Sequence, residues 1–381
     1  MLVEIVKAEG VWMYGPSGEK YLDLISGVTV SNTGHRHPEV VNAIKEQVDS
    51  YLHLMVYGEM IQSPQVRLAD RLLSLLPTGM ESCYFVNSGS EAVEGALKLA
   101  KRYTGKSRII SFRNSYHGST HGALSVQGSE TYKNAFRPLL PDIFLGDFNS
   151  NSSFELINNN TACIIVEPVQ AEAGVILPAE GFLSKLRSRC TETGTLLIFD
   201  EVQTGFGRTG ALFASEKFGI TPDIIVLAKA LGGGLPLGAF ISSREIMKSL
   251  MYDPPLGHIT TFGGHPVCCA AGLASLEIVV REGLAAEAIR KSGLIKKELN
   301  HPAIKEIRGE GLLLAAVTGD SDLVQTIIRN APAFGIILDY FLFCPDAFRI
   351  APPLTISDAE IIFACSQLKA LLNDVINKKV K

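Results

Sequence analysis

A chain of 381 residues that is 46% hydrophobic can bury a large core and is long enough for two domains. Its 35 Lys and Arg are balanced by 39 Asp and Glu, a net charge of -4 without long like-charge runs, which argues against nucleic acid as a partner. The opening MLVEIVKAEG has no signal-peptide pattern and no apolar run is long enough to span a bilayer. The seven cysteines include no CxxC pair and fit reduced, buried thiols, so the expected compartment is the cytoplasm.

In chain order, Gly10 to Leu24 reads as a hairpin, VWMY and KYLDL around the turn GPSGE, expected to pack with the C-terminal part. From Ser63, Pro64 at a first helical position and Val66, Leu68, Ala69, Leu72, Leu73 and Leu76 at helical spacing predict a helix. Short unbroken apolar runs then alternate with helical stretches: Cys83 to Val86, Ile109 to Phe112, Cys163 to Val166, Leu196 to Phe199 and Ile224 to Leu227. Buried strands flanked by helices imply a mostly parallel sheet covered on both faces, with ligands beyond its carboxyl ends. Past about residue 270 come a long helix, a strand near Gly311 to Val317, and a final helix opened by the capping box of Ser357 and Glu360. The predicted division is a large domain over 40–270 and a small α+β domain made of 1–39 and 271–381.

The chemistry-bearing residues fall just after the strands. Strand TLLIF runs into Asp200, and DIIVLA into Lys229, followed by Gly232 to Gly234. Burial penalises a lysine cation, lowering its pKa and making its amine nucleophilic. After CYFV come Asn87, Ser88, Gly89 and Ser90 and a helix from about Glu91 to Tyr103, whose first amides can hold a phosphate. After RIISF, Ser115, Tyr116, His117 and Gly118 offer an aromatic face to a planar ring.

Three weaker patterns compete. Gly205, Gly207 and Gly210 spell GxGxxG, but the acidic residue a dinucleotide site needs at the end of the next strand is Lys229. Gly105, Lys106 and Ser107 resemble the tail of a P-loop, yet they end a helix. His35 with His37, and His117 with His121, lack the Glu or Cys partners of a metal site, so no metal is expected.

With these residues assembled, the chain resembles the class III, ornithine aminotransferase-like group of pyridoxal-phosphate enzymes over nearly its whole length. The blocks that carry the likeness are FVNSGSEAVEGALKLAKRY, SYHGST, IIVEPVQAEAGV, LLIFDEVQTGFGRTG, LAKALGGGLPLGAF, HITTFGGHP and FRIAPPL, in the family's order. The resemblance implies the pyridoxal-phosphate transferase fold of type I, an α/β architecture, acting as a homodimer with shared sites. It implies pyridoxal 5'-phosphate as cofactor and transfer of an amino group from an ω-amine or amino-acid donor to 2-oxoglutarate or another oxo acid. Lys229 would carry the cofactor and shuttle the proton, and Asp200 would pair with the protonated pyridine nitrogen. Gln203 would bond the ring's phenolic oxygen and Tyr116 would stack on the ring. Ser88, Gly89, Ser90, His117 and Glu167 belong to the implied cofactor site, and Thr261 would reach the neighbouring subunit's phosphate. Arg349 would grip a substrate α-carboxylate, and Glu172 would pair with it when the substrate presents a bare terminal amine. The implied donor is ornithine, acetylornithine, 4-aminobutyrate or a similar amine. Ser119 departs from the arginine that many such enzymes carry after HG for the donor's distal carboxylate, so N-acetylornithine and 4-aminobutyrate are expected to be poor donors unless Arg113 or Arg36 supplies the charge. An aminomutase or dialkylglycine-type decarboxylase would share Lys229, Asp200 and Gln203. A non-catalytic effector-binding module would have little reason to keep them together, and a nicotinamide oxidoreductase is the weakest reading.

Overall fold

A computed structural model describes residues 3–379, with side chains through 377. Seven strands form the central sheet: β1 (Ser82–Val86), β2 (Arg108–Phe112), β3 (Ile143–Gly146), β4 (Thr161–Val166), β5 (Leu196–Asp200), β6 (Ile224–Leu227) and β7 (Gly238–Ser242). Their spatial order is β1-β7-β6-β5-β4-β2-β3. β7 runs antiparallel to both its neighbours, whereas the pairs from β6 to β3 are parallel.

The unbroken apolar runs follow from burial on both faces. In β4, Cys163 and Ile165 point into one core with Ala92, Val93, Ala96 and Leu97 of helix α1 (Gly89–Thr104). Ile164 and Val166 point into another, with Phe182, Leu183 and Leu186 of the helix Phe182–Thr193. Alternate residues of a strand face opposite sides, so both sets must be apolar. α1 lies so close to β7 that a Cβ on Gly95 would stand 2.3 Å from Phe240. Across the other face, helix α2 (Pro266–Arg281) packs Cys269 and Leu276 with Leu68 and Leu72 of the helix Ser63–Leu75.

A second, antiparallel sheet is made of Glu306–Glu310, Leu313–Val317, Cys344–Ile350 and Asp339–Phe341, in that spatial order. It shares a core with the helix Leu284–Glu298 and with α3 (Asp358–Lys379). The capping box forms as expected: the Glu360 amide donates to Ser357 Oγ at 3.3 Å, and the Ser357 amide to Glu360 Oε2 at 2.9 Å. The N-terminal hairpin also forms, Trp12–Tyr14 against Lys20–Asp23, with Lys7–Glu9 as a further strand. Its Lys20–Asp23 strand pairs in parallel with Ile336–Ile337, joining the two chain ends.

Arg208 lies where the parts meet and is fully buried, with 0% exposure. Its Nη1 donates to the carbonyls of Leu312, at 3.0 Å, and Pro352. Its Nη2 donates to Ser26 Oγ, at 3.1 Å, and to Asn32 Oδ1. Burial depresses the guanidinium pKa to about 9, partly offset by the charge of Asp23. No helix among the described residues is long and apolar enough to cross a membrane.

Candidate active site

Beyond the carboxyl ends of β4, β5 and β6 a pocket of about 390 Å³ opens. Its wall includes Ser88, Gly89, Ser90, Tyr116, His117, Glu167, Asp200, Gln203 and Lys229, residues singled out separately from the sequence. Asn87, Gly118, Val202, Ala228 and the run Gly234 to Leu237 complete it, along with Val30 from near the N-terminus.

Asp200 ends β5, where only 3% of it is exposed. One carboxylate oxygen accepts the Val202 amide at 3.1 Å and the other meets His117 Nδ1 at 2.7 Å. His117 Nε2 is buried without a protein partner. Glu201, the next residue, turns away and accepts the amides of Ala214 and Ser215, so the pair of adjacent acids divides between pocket and scaffold. Glu167, at the end of β4, accepts the amides of Tyr116 at 3.1 Å and Ala171 at 3.3 Å. Burial, reinforced by the nearby Asp200, holds its pKa well above the usual carboxylate range.

Lys229 follows β6 with φ at 51°, a left-handed conformation costly for a side-chain-bearing residue. The short 3₁₀ turn Lys229–Gly232 that it opens turns the chain back towards β7. Although the side chain opens onto the pocket, burial lowers its amine pKa, with Asp200 and Glu172 opposing that shift. A lowered pKa is the direction that favours the neutral, nucleophilic amine a carbonyl-bearing ligand requires.

α1 begins two residues earlier than expected, so Gly89 and Ser90 are its first residues and Ser88 its cap, accepting the Glu91 amide at 3.2 Å. The amides of Gly89 and Ser90 therefore have no intrahelical acceptor and face a site for an anion. Gly118, at φ 127°, passes so close that a Cβ there would lie 2.3 Å from Ser90 Oγ. The same Ser90 Oγ accepts the Ser119 amide at 3.2 Å. The pocket thus offers an anion cradle, a buried carboxylate facing inward, an aromatic wall and a depressed-pKa lysine. That donor set fits pyridoxal phosphate, which when bound acts as an electron sink for a substrate carbanion.

Beside the pocket, Glu172 and Arg349 meet. Glu172 stands in a tight loop closed by the bridge of Gln170 to Ile176, and Arg349 projects from Cys344–Ile350. Arg349 Nη2 donates to Glu172 Oε1 at 2.7 Å, and its Nη1 to Gln203 Oε1 at 3.0 Å. Gln203 Nε2 in turn donates to Glu172 Oε1 at 2.9 Å. Both ends of the Gln203 amide are therefore engaged, leaving one amide hydrogen for a ligand in the pocket. Burial pushes the Glu172 pKa up, but Arg349, by charge and hydrogen bond, outweighs it and the carboxyl ends below its usual range.

Thr261 is exposed and does not line this pocket. Ser119 is exposed too, its hydroxyl 3.1 Å from Tyr116 Oη. Neither candidate substitute for the missing arginine reaches the pocket. Arg113 is paired with Asp147 at 3.0 Å, and Arg36 lines a separate cleft with Trp12 and Glu360. The GxGxxG glycines form no strand-to-helix turn: Gly207 and Gly210 sit in turns against Ala285 and Ile289. Gly105 is the left-handed C-cap of α1, and Lys106 Nζ donates to the carbonyls of Thr193 and Gly194. His35 is paired with Asp23 and His117 with Asp200. The unforeseen pocket residues are the apolar Val30, Val202 and Leu237, whose residue types carry no distinguishing signal.

Fold and pocket together define a pyridoxal-phosphate transferase of fold type I. The aminotransferase class-III family matches residues 1–372. The chain is 40% identical over 373 residues to acetylornithine aminotransferase of Methanopyrus kandleri, spanning 96% of this chain and 93% of that one. It is 39% identical over 373 residues to acetylornithine aminotransferase of Bacillus subtilis, spanning 96% and 94%. Among solved structures it superposes with a TM-score of 0.91 on a pyridoxal-phosphate-bound amine transaminase from an uncultivated Pseudomonas species, at 29% identity over 98% of this chain and 95% of that one. It does so equally, at 0.91, on the ornithine aminotransferase of Toxoplasma gondii, at 30% identity over 100% and 92%. The chain belongs to the class-III aminotransferases, pyridoxal-phosphate enzymes that move an amino group from an amine or amino-acid donor to an oxo acid.

Proposed function

We propose that this aminotransferase takes a primary ω-amine whose tail needs no arginine anchor, and returns the amino group to 2-oxoglutarate. The observation that carries this reading is the paired Glu172 and Arg349 beside the pocket, together with the exposed Ser119, which contacts the pocket residue Tyr116 and stands where the resemblance places an arginine for a distal carboxylate. While the pair is closed, a carboxylate-free amine meets no unpaired cation. When it opens, Arg349 offers a bidentate guanidinium to an α-carboxylate.

Lys229 is assigned as the cofactor-bearing residue and the proton carrier at the substrate carbon. Asp200, braced by His117, is assigned to the pyridine nitrogen. Gln203 serves the phenolic oxygen with its remaining amide hydrogen, Tyr116 covers the ring, and Gly89 and Ser90 hold the phosphate, with Ser88 and Glu167 shaping the wall. Thr261 is assigned to a partner's phosphate. A homodimer is supported by the exposed Met60, Ile61, Met251, Leu256 and Ile259, which line an apolar groove of about 650 Å³ beside Thr261's loop. The cytoplasm remains the proposed compartment, and 40–270 against both chain ends the proposed domain division.

Single-turnover conversion of the cofactor by L-glutamate and by a panel of primary amines tests the reading. Glu172→Ala is expected to speed the glutamate half-reaction relative to the amine one. An unchanged ratio shows that the switch does not operate. N-acetylornithine, the substrate in the names of the relatives above, as the fastest donor of the panel overturns the assignment of the tail.

A further inference from the structure

Glu172 and Arg349 are 4% and 1% exposed, so no substrate carboxylate reaches the guanidinium while the surrounding chain keeps its place. What covers them is the turn between Asp339–Phe341 and Cys344–Ile350. The Leu342 amide donates to Glu172 Oε2 at 3.2 Å, and the Phe343 amide to the Glu172 carbonyl at 3.0 Å. Arg349 is stacked on the Phe341 ring, 4.6 Å from its centroid. One turn therefore holds both partners of the ion pair, and Glu172 cannot swing away without breaking its bond to Leu342.

The tip of that turn is fastened to the other side of the site. The Phe343 ring meets Tyr132 edge-on, with centroids 5.7 Å apart and planes at 75°. Tyr132 belongs to the short helix Glu130–Lys133, two residues after Gly128, whose amide donates to the Ser115 carbonyl at 2.9 Å beside Tyr116. Gly128 is pressed against that loop so closely that a Cβ would stand 2.3 Å from the Phe112 carbonyl. The segment bearing Tyr132 is thus fixed to the cofactor wall, while Tyr132 itself remains 39% exposed. A contact between two aromatic rings, one on a rigid wall and the other at the tip of a turn, is strong enough to bias a loop and weak enough to open.

We propose that Tyr132 and Phe343 form a clasp across the mouth of the site that keeps Glu172 paired with Arg349, making them positioning residues that set the balance between carboxylate-bearing and carboxylate-free substrates. The proposal rests on the Glu172–Arg349 switch assigned above. With the clasp closed, the turn presents the Leu342 amide to Glu172 and the bare amine is favoured. With it open, Glu172 loses that amide and Arg349 becomes available to 2-oxoglutarate or glutamate.

The test compares single-turnover rate and apparent affinity for L-glutamate and for the fastest primary amine of the donor panel, in holoenzyme. Tyr132→Ala and Phe343→Ala should each raise the glutamate-to-amine ratio about three- to tenfold, the range an aromatic pair supports. The double variant should do no more than either single one. Tyr132→Phe, which keeps the ring, should restore the wild-type ratio, and Phe343→Leu should fall between. Equal losses in both half-reactions, or additive effects, overturn the clasp as a specificity device. If Glu172→Ala shifts the ratio while the clasp variants do not, the clasp alone fails. If Glu172→Ala leaves it unchanged, the switch and the clasp fail together.

Discussion

Lys229 and Asp200 show how two ordinary residues become reactive through position. Each follows a strand buried on both faces, so each arrives at the sheet's rim with water largely excluded from one side. Burial lowers the Lys229 pKa against the pull of Asp200, the direction that favours a nucleophilic amine. Lys229→Ala is expected to abolish transamination while still admitting the cofactor, because the anion cradle and Asp200 lie on other elements. Borohydride reduction of the wild type followed by peptide mapping should place the label at Lys229, and a label on another lysine refutes the assignment. Asp200→Asn is expected to lower turnover by roughly a hundredfold or more, because a neutral amide no longer stabilises a protonated pyridine. Stopped-flow rates at unchanged folded content check this, and near wild-type turnover refutes it. Arg349→Ala should cost about 2–5 kcal/mol of glutamate and 2-oxoglutarate binding, read as a rise in KM with the amine half-reaction spared.

The elements divide by how much of their cause is local. The runs at Ile109 to Phe112 and Ile224 to Leu227 are readable because a strand buried on both faces must be apolar throughout. The strand Gly238–Ser242 went unread: it begins with glycine, follows the lysine turn at once, and owes its existence to neighbours on both sides, β1 and β6, that only the folded sheet supplies. Ile143–Gly146 is short and lies at the sheet's edge, paired only with β2. In the site, residues with distinctive chemistry such as Lys229, Asp200 and Tyr116 are legible one at a time. The bond from Arg349 to Gln203 spans 146 positions and the Tyr132 to Phe343 contact joins a short helix to a distant turn, so neither has a local signature. Gly118 is legible as part of the loop after RIISF, but its close approach to Ser90 is not, since it depends on the absence of a side chain. Gly118→Ala is expected to drive a methyl group into Ser90 at a backbone angle it resists, displacing the start of α1. Equilibrium dialysis should show weaker retention of pyridoxal phosphate, with Ser90→Ala affected less.

At the scale of the molecule, the resemblance in sequence extends through the fold: a seven-stranded sheet carries the pocket and a second sheet carries Arg349. Thr261 lies outside its own pocket, on an exposed loop, so Thr261→Ala should weaken cofactor retention only where two copies associate. Sedimentation showing a fully active monomer refutes that arrangement. Arg208 binds three stretches of chain through neutral acceptors, so Arg208→Met should lower the melting temperature by several degrees, leaving buried carbonyls without donors. The single tryptophan, Trp12, takes no part in this network and stands inside the N-terminal hairpin. Its Nε1 donates to Glu360 at 2.8 Å, Phe363 lies 5.6 Å from it, and Lys20 Nζ sits 3.8 Å over its ring. Its emission therefore reports on the docking of the two chain ends, while the visible absorbance of bound pyridoxal phosphate is expected to report on the pocket of the central sheet. The molecule thus carries two optical probes on elements that Arg208 helps to join: in the wild type their melting curves should coincide, and in Arg208→Met the fluorescence should be the first to change.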